Sequence, residues 1–196
     1  MRGGGSPCWT AAWRRPFSTS NPLGGLLHPR VLVASTALEG WSAVFDGRIY
    51  GLGGRGLSVR LARALRVPGY FVAAAPPASD PEHFPGFRQF YVLGPQTGRD
   101  HVRAVWVGEE EDVGRWHFGT DGEVQPYEDV EAYRRRRRTD RFTERMLVDY
   151  AAAVGLRPWE DSFYRPPFHL ITSLRLGRDR FQRTLAQVRT EMKLDE

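Results

Sequence analysis

One cysteine, Cys8, and one lysine, Lys193, are all that the 196 residues contain of either type. The lone cysteine excludes structural disulfides and cysteine-built zinc sites from the body of the chain, which fits a reducing compartment. No apolar run approaches the roughly 20 residues of a membrane-spanning helix, so no membrane partner is expected. A G-x-S-x-G nucleophile elbow is also missing. The histidines, His28, His83, His101, His117 and His169, never fall at the i, i+2 or i, i+4 spacing of a local metal clamp, so no metal is expected. Arginine takes the place of lysine, and with abundant Ala, Gly and Pro this is the drift of GC-rich coding, which needs no selection for binding.

Acid is missing from residues 1–38, which hold Arg2, Arg14, Arg15 and Arg30. They carry four of the five formal positive charges, leaving the remainder of the chain nearly neutral. Such a body has no global pull toward a phosphate backbone, although a local patch can still attract one. Arg15-Pro16-Phe17-Ser18-Thr19-Ser20 resembles the end of an organellar transit peptide, whereas the plainer reading is an extension ahead of a start near Val31 or Val33. On either reading residues 1–38 are expected to be a disordered leader outside the fold. The expected location is the cytoplasm, or the mitochondrion if the leader is a true transit peptide.

The residues that remain predict a single α+β domain over 39–164. WSAVFDGRIY (41–50) is rich in aromatic and β-branched residues and predicts a strand or short hairpin around Asp46-Gly47. The segment RIYGLGGRGLSVRLARAL follows, with Gly51, Gly53 and Gly56 spaced as G-x-G-x-x-G ahead of a helix whose Leu57, Leu61, Ala64 and Leu65 share one face. YFVAAA (70–75) is apolar throughout, as a central strand would be. From Phe87 the period changes to two, and FRQFYVL, DHVRAVWV, RWHF and VQPY predict an antiparallel meander, with EEEDVG as an acidic loop and TDGE as a turn. Alternation places Val102, Ala104 and Trp106 on a core face with Trp116, Phe118 and Val124. It places His101, Arg103, His117, Glu123 and Gln125 on the opposite, exposed face.

Helices are expected to cover the aromatic face. EDVEAYRRRRRTD opens with acids and closes with arginines, in keeping with a helix dipole. Thr143 is the predicted N-cap of a second helix with Met146, Leu147, Tyr150, Ala151 and Val154 on its apolar stripe and Gly155 as its stop. Residues 165–196 are predicted to be a linker and a C-terminal helical appendage, with Phe181, Leu185, Val188 and Met192 along one face of 178–193.

The block Gly114-Arg115-Trp116-His117-Phe118, then Gly122-Glu123, Tyr127-Glu128-Asp129, Tyr133, Arg141-Phe142-Thr143, Leu147, Tyr150, Gly155 and Asp161-Ser162-Phe163-Tyr164, resembles a family of small bacterial proteins with no assigned function. The resemblance covers roughly residues 87–164 and implies an α+β bacterial domain. No catalytic residue comes with it.

Three groups of residues are candidates for chemistry. Gly51, Gly53 and Gly56 match a dinucleotide-binding loop, but the next strand ends in Pro76-Pro77 where an acidic residue would hold a ribose, and no further βαβ unit appears. A tight strand-to-helix turn is therefore expected, and no cofactor. His101, His117 and Glu123 are the one grouping that acid–base catalysis could use, if neighbouring strands bring them together. Glu109, Glu110, Glu111 and Asp112 form an acidic cluster, and Arg134, Arg135 and Arg136 lead the basic run 134–138; either could dock an oppositely charged partner. The expectation is a non-enzymatic protein-binding domain, immunity-like or regulatory. A small nucleotide-binding protein or enzyme using the 51–56 loop, and a nucleic-acid binder using the arginine run, are the alternatives.

Overall fold

The structure is a computed structural model that describes residues 30–46, 54–75, 86–94, 99–110 and 115–172, together with positions 184, 187 and 190. The fold is α+β with antiparallel sheets, as the alternation predicts. The chain divides into two compact units, residues 1–54 with 157–196, and residues 55–156.

The first unit is built on a three-stranded antiparallel sheet in the order β2-β1-β7, from β1 (Arg30–Thr36), β2 (Ser42–Asp46) and β7 (Tyr164–Thr172). Two expectations meet different structure here. Arg30–Thr36, within the expected leader, is a strand, and Tyr164–Thr172, which runs from the end of the expected domain into the linker expected from residue 165, is its partner. Val31, Leu32 and Val33 supply the β-branched and apolar content a strand needs. Pro166-Pro167 masks the signal for β7, because proline cannot donate to a ladder, yet it is tolerated where a strand edge needs no donor. Residues 1–29, and the stripe Phe181, Leu185, Val188 and Met192, lie outside the described residues. Within the tail, the Thr184 N–H donates to Gln187 Oε1 and the Gln187 N–H to Thr184 Oγ1, the reciprocal pair of a capping box.

The second unit contains α1 (Gly54–Leu65), β3 (Gly69–Ala75), β4 (Phe87–Leu93), β5 (Arg103–Glu110), β6 (Arg115–Gly122) and α2 (Glu144–Ala153). Its sheet runs β3-β4-β5-β6, antiparallel throughout. The apolar run YFVAAA is thus an edge strand; its uniform hydrophobicity reflects packing on both faces. On one face Val59 and Ala62 of α1 bury against Tyr91, Leu93 and Ala104, with Phe71 and Trp106 packed around them. On the other, Phe90 meets Tyr127 and Tyr150 edge to face at 6.2 Å, and Phe142 packs on Tyr150.

Register decides which side chains share a face, and here it departs from simple alternation. Trp106 pairs with Gly119 and Val107 with Phe118, so Trp106 lies on the α1 face while Phe118 and Trp116 lie on the α2 face with Val105 and Val107. Gly119 makes that possible, because any Cβ there would occupy the space of the Trp106 indole. VQPY forms no strand. The Gln125 N–H is taken by the Glu128 carboxylate at 2.9 Å, and Pro126 has no N–H to offer. The expected helix over EDVEAYRRRRRTD is instead two single 3-10 turns, Ala132–Arg134 and Arg138–Asp140, separated by an extended Arg135 at ψ 147°.

The second predicted helix forms where its caps place it. Thr143 Oγ1 accepts from the Met146 N–H, and Met146, Leu147, Tyr150 and Ala151 are buried. At its end Gly155 has φ 82°, with Gly155 N–H to Ala152 O and Leu156 N–H to Ala151 O closing the helix in a Schellman-type turn.

Two glycines invite opposite outcomes. Gly122 has φ +85°, and a Cβ there would collide with the Val102 carbonyl oxygen; Gly56 lies in the first turn of α1 with open space around it. Urea unfolding is expected to show Gly122→Ala losing at least about 2 kcal/mol of stability. Gly56→Ala is expected to gain about 0.5 kcal/mol from reduced chain entropy in the unfolded state.

Candidate partner-binding site

Arg103 opens β5 within the apolar segment V-R-A-V-W-V, and it points into the α2 face rather than to solvent with the histidines. Its side chain is 3% exposed and that of Glu128 1%. Nε donates to Glu128 Oε1 at 2.8 Å and Nη2 to Oε2 at 2.6 Å, while Nη1 donates to Gly122 O at 2.8 Å. Glu128 also accepts the Gln125 N–H and, at 2.7 Å, the Tyr133 hydroxyl. Tyr133 and Tyr150 share a hydrogen bond of 2.9 Å, and Tyr150 Oη accepts the Asp129 N–H. Every lone pair that burial would strand has a donor, which is what a buried ion pair requires.

The titration of these groups follows from that enclosure. Burial pulls the Glu128 carboxyl upward, but hydrogen bonds from Arg103, Gln125 and Tyr133 outweigh it and hold the group below the usual glutamate range. Burial first, then the hydrogen bonds with Tyr150 and Glu128, pushes Tyr133 well above the ordinary tyrosine value. Tyr127 is pushed up to about 12 by burial and by the neighbouring Tyr70 and Glu128.

This network holds the start of the arginine run, and further contacts hold its remainder. The Arg141 guanidinium donates to Arg135 O at 2.7 Å, Arg135 Nη1 donates to Asp140 O, and Arg138 Nη1 to Trp116 O at 3.0 Å. From β4, Arg88 Nε donates to Phe142 O at 2.8 Å, and its guanidinium stacks on the Trp116 ring. Of the five consecutive arginines, Arg135 and Arg138 thus serve the loop itself. Arg134 is 80% exposed and its pair with Glu131, itself 74% exposed, contributes little. Arg136 and Arg137 are exposed and have no partner among the described residues.

The other candidates are dispersed. His101 Nε2 lies 2.9 Å from Asp121 Oδ2 and its ring stands edge-on to Tyr91, whereas His117 Nε2 lies 2.8 Å from Glu110 Oε2. A carboxylate only accepts, so His101 donates from Nε2, and the hydrogen bond holds the Asp121 carboxyl below its ordinary value. His117 and Asp121 are two steps apart along one face of β6, about 13 Å. The structure therefore does not bring His101 and His117 together, and Glu123 is exposed, with its carbonyl accepting the Gln125 side chain. Glu109 and Glu110 belong to β5 rather than to a loop: the Glu109 N–H donates to Gly86 O at 2.9 Å and its carboxylate accepts the Gly86 N–H. Glu111, Asp112, Gly51 and Gly53 lie outside the described residues. Gly56 is helical, and the strands before and after α1, β2 and β3, belong to different antiparallel sheets, where a dinucleotide fold has a parallel βαβ unit. Among the described residues no group of three His, Cys, Asp or Glu gathers as a metal site, and no helix is long and apolar enough to cross a membrane.

Sequence reasoning missed the Arg103–Glu128–Tyr133–Tyr150 network. The one available signal was a charged residue inside an apolar strand, which calls for a buried counter-charge rather than solvent. No protein-family model, curated protein or solved structure matches the chain. The resemblance across residues 87–164 rests on its quoted residues alone.

The buried pair sets a stability expectation. Arg103→Met strands a buried carboxylate and is expected to cost about 3–5 kcal/mol in urea unfolding at neutral pH, whereas Arg103→Met with Glu128→Leu costs distinctly less. Glu128 has a lowered folded-state pKa, so its contribution is full above the ordinary glutamate range and is lost as pH falls through the folded value. Stability measured against pH is expected to fall less steeply on the acid side in Glu128→Gln than in the native protein.

Proposed function

We propose that the protein is a non-enzymatic binding protein of the bacterial cytoplasm whose arginine loop, Arg134 to Arg137, docks on an acidic surface of another protein. The observation that carries this reading is the division of labour within the run. Arg135, Arg138 and Arg141 fasten the backbone, while Arg136 and Arg137 are presented to solvent from it. A loop already fastened loses little conformational freedom on binding, and guanidinium groups can engage carboxylates in bidentate fashion. An immunity-like or regulatory role agrees with a surface that recognises charge and with the scattering of the titratable residues. The near-neutral body favours a protein partner over nucleic acid, and the antiparallel strands around α1 give the nucleotide reading no support.

The test is capture of partners from host lysate by the full chain and by the Arg136→Glu/Arg137→Glu variant, with and without nuclease, followed by native mass spectrometry. A stoichiometric protein that survives nuclease and falls at least tenfold in the variant is the expected result. Loss on nuclease treatment would move the loop to nucleic acid, a retained nucleotide would revive the glycine segment, and capture indifferent to both substitutions would refute the reading. Both side chains are exposed, so thermal stability is expected to be unchanged.

A further inference from the structure

The first unit carries an open groove of about 650 Å³ at the end of its sheet where β1 turns into β2. Its floor follows from the strand register. Ser42 pairs with Ser35, and Ser35 pairs with Arg165 across a register shift between Ala34 and Ser35. Residues directly opposite one another share a face, so two hydroxyls and a guanidinium form one row across three strands, successive members about 5 Å apart. Bulged registers of this kind re-aim side chains, and they recur beside binding sites.

The wall is the connection 37–41. Thr36 Oγ1 lies 2.9 Å from Leu38 O and 3.0 Å from Trp41 O, the Trp41 N–H donates to Leu38 O, and the Ala37 N–H donates to Phe163 O at 2.7 Å. Gly40, at φ +78°, gives the turn a conformation that few other residues accept. The connection is therefore preformed, and it brings Glu39 and the half-buried Trp41 to the groove that Arg165 also lines. Glu39 and Arg165 form no ion pair with each other, and neither side chain has a hydrogen-bond or ion-pair partner among the described residues.

Opposite charges that line one preformed groove without meeting suit a ligand carrying both complements. We propose that this groove binds a small zwitterion with an amine and a carboxylate, of which a free amino acid is the simplest: the carboxylate on Arg165 and the serine row, the ammonium on Glu39, and the ligand's side chain against Trp41. A phosphate or a simple carboxylate would satisfy Arg165 while facing the repulsion of Glu39. A simple amine would do the reverse. The groove is open, so binding is expected to be weak, at millimolar ligand.

Amide chemical shifts of Ser35, Gly40 and Ser42 in the full chain report binding without any assumed activity. The titrants are glycine, L-leucine and L-tryptophan, with acetate and methylammonium as the two half-ligands. The expected result is saturable shifts for the amino acids, with either half-ligand needing at least ten times the concentration. Arg165→Gln is expected to weaken the amino acids at least tenfold, and Glu39→Gln to abolish their advantage over acetate. Both side chains are exposed, so amide shifts elsewhere are expected to stay native. No saturable shift, equal binding of acetate and glycine by the native chain, or indifference to both substitutions would overturn the proposal.

Discussion

The Arg103–Glu128 ion pair is the constraint on which the second unit depends. Two charges at 3% and 1% exposure lose nearly all their hydration, and only complete hydrogen bonding makes that tolerable. Satisfying Glu128 recruits the Gln125 amide and the Tyr133 hydroxyl, which ends the meander at Gly122 and bends the following chain back over the sheet. Satisfying Arg103 recruits the Gly122 carbonyl, at the glycine whose backbone no larger residue fits. The helix that EDVEAYRRRRRTD would otherwise form gives way because Glu128, at its acidic start, is committed to Arg103, the Gln125 amide and the Tyr133 hydroxyl. Tertiary demand overrides a favourable local dipole pattern.

Local signals were readable wherever the determinant is local. Thr143, the stripe Met146-Leu147-Tyr150-Ala151 and Gly155 define α2 without reference to the remainder of the chain, and the structure has them in those roles. The strands β4, β5 and β6 were likewise legible from their period. What the pattern left undetermined is register. A period of two states that neighbours alternate, but the face that Trp106 takes depends on Gly119 standing opposite it on the next strand, 13 residues along the chain. The same shortfall placed Arg103 outside and brought His101 toward His117, when each histidine has its own carboxylate. In β7 the obstacle was composition, since Pro166-Pro167 reads as a break although the strand continues through it.

Charge in this protein is better understood by commitment than by count. The run of five arginines looks uniform in the sequence, yet Arg135 and Arg138 are spent on backbone carbonyls, and Arg134 meets Glu131 in full solvent. Only Arg136 and Arg137 remain uncommitted there. In the first unit the count is small, one carboxylate and one guanidinium around the groove, but both are uncommitted, and that distinguishes them from the saturated pair in the other unit's core.

Strand β1 has a partner on each edge, and both come later in the sequence: β2 a few residues on, and β7 more than a hundred residues later. The second unit, by contrast, is contiguous from residue 55 to residue 156. On a ribosome the contiguous unit can close as soon as it emerges, while β1 and β2 wait as a bare hairpin until the far strand is made, and two strands alone are marginal in water. Chain closure over that distance carries an entropic penalty that the hairpin's own contacts cannot offset early. Among the described strands, the earliest in the chain thus belongs to the sheet whose last member is made latest.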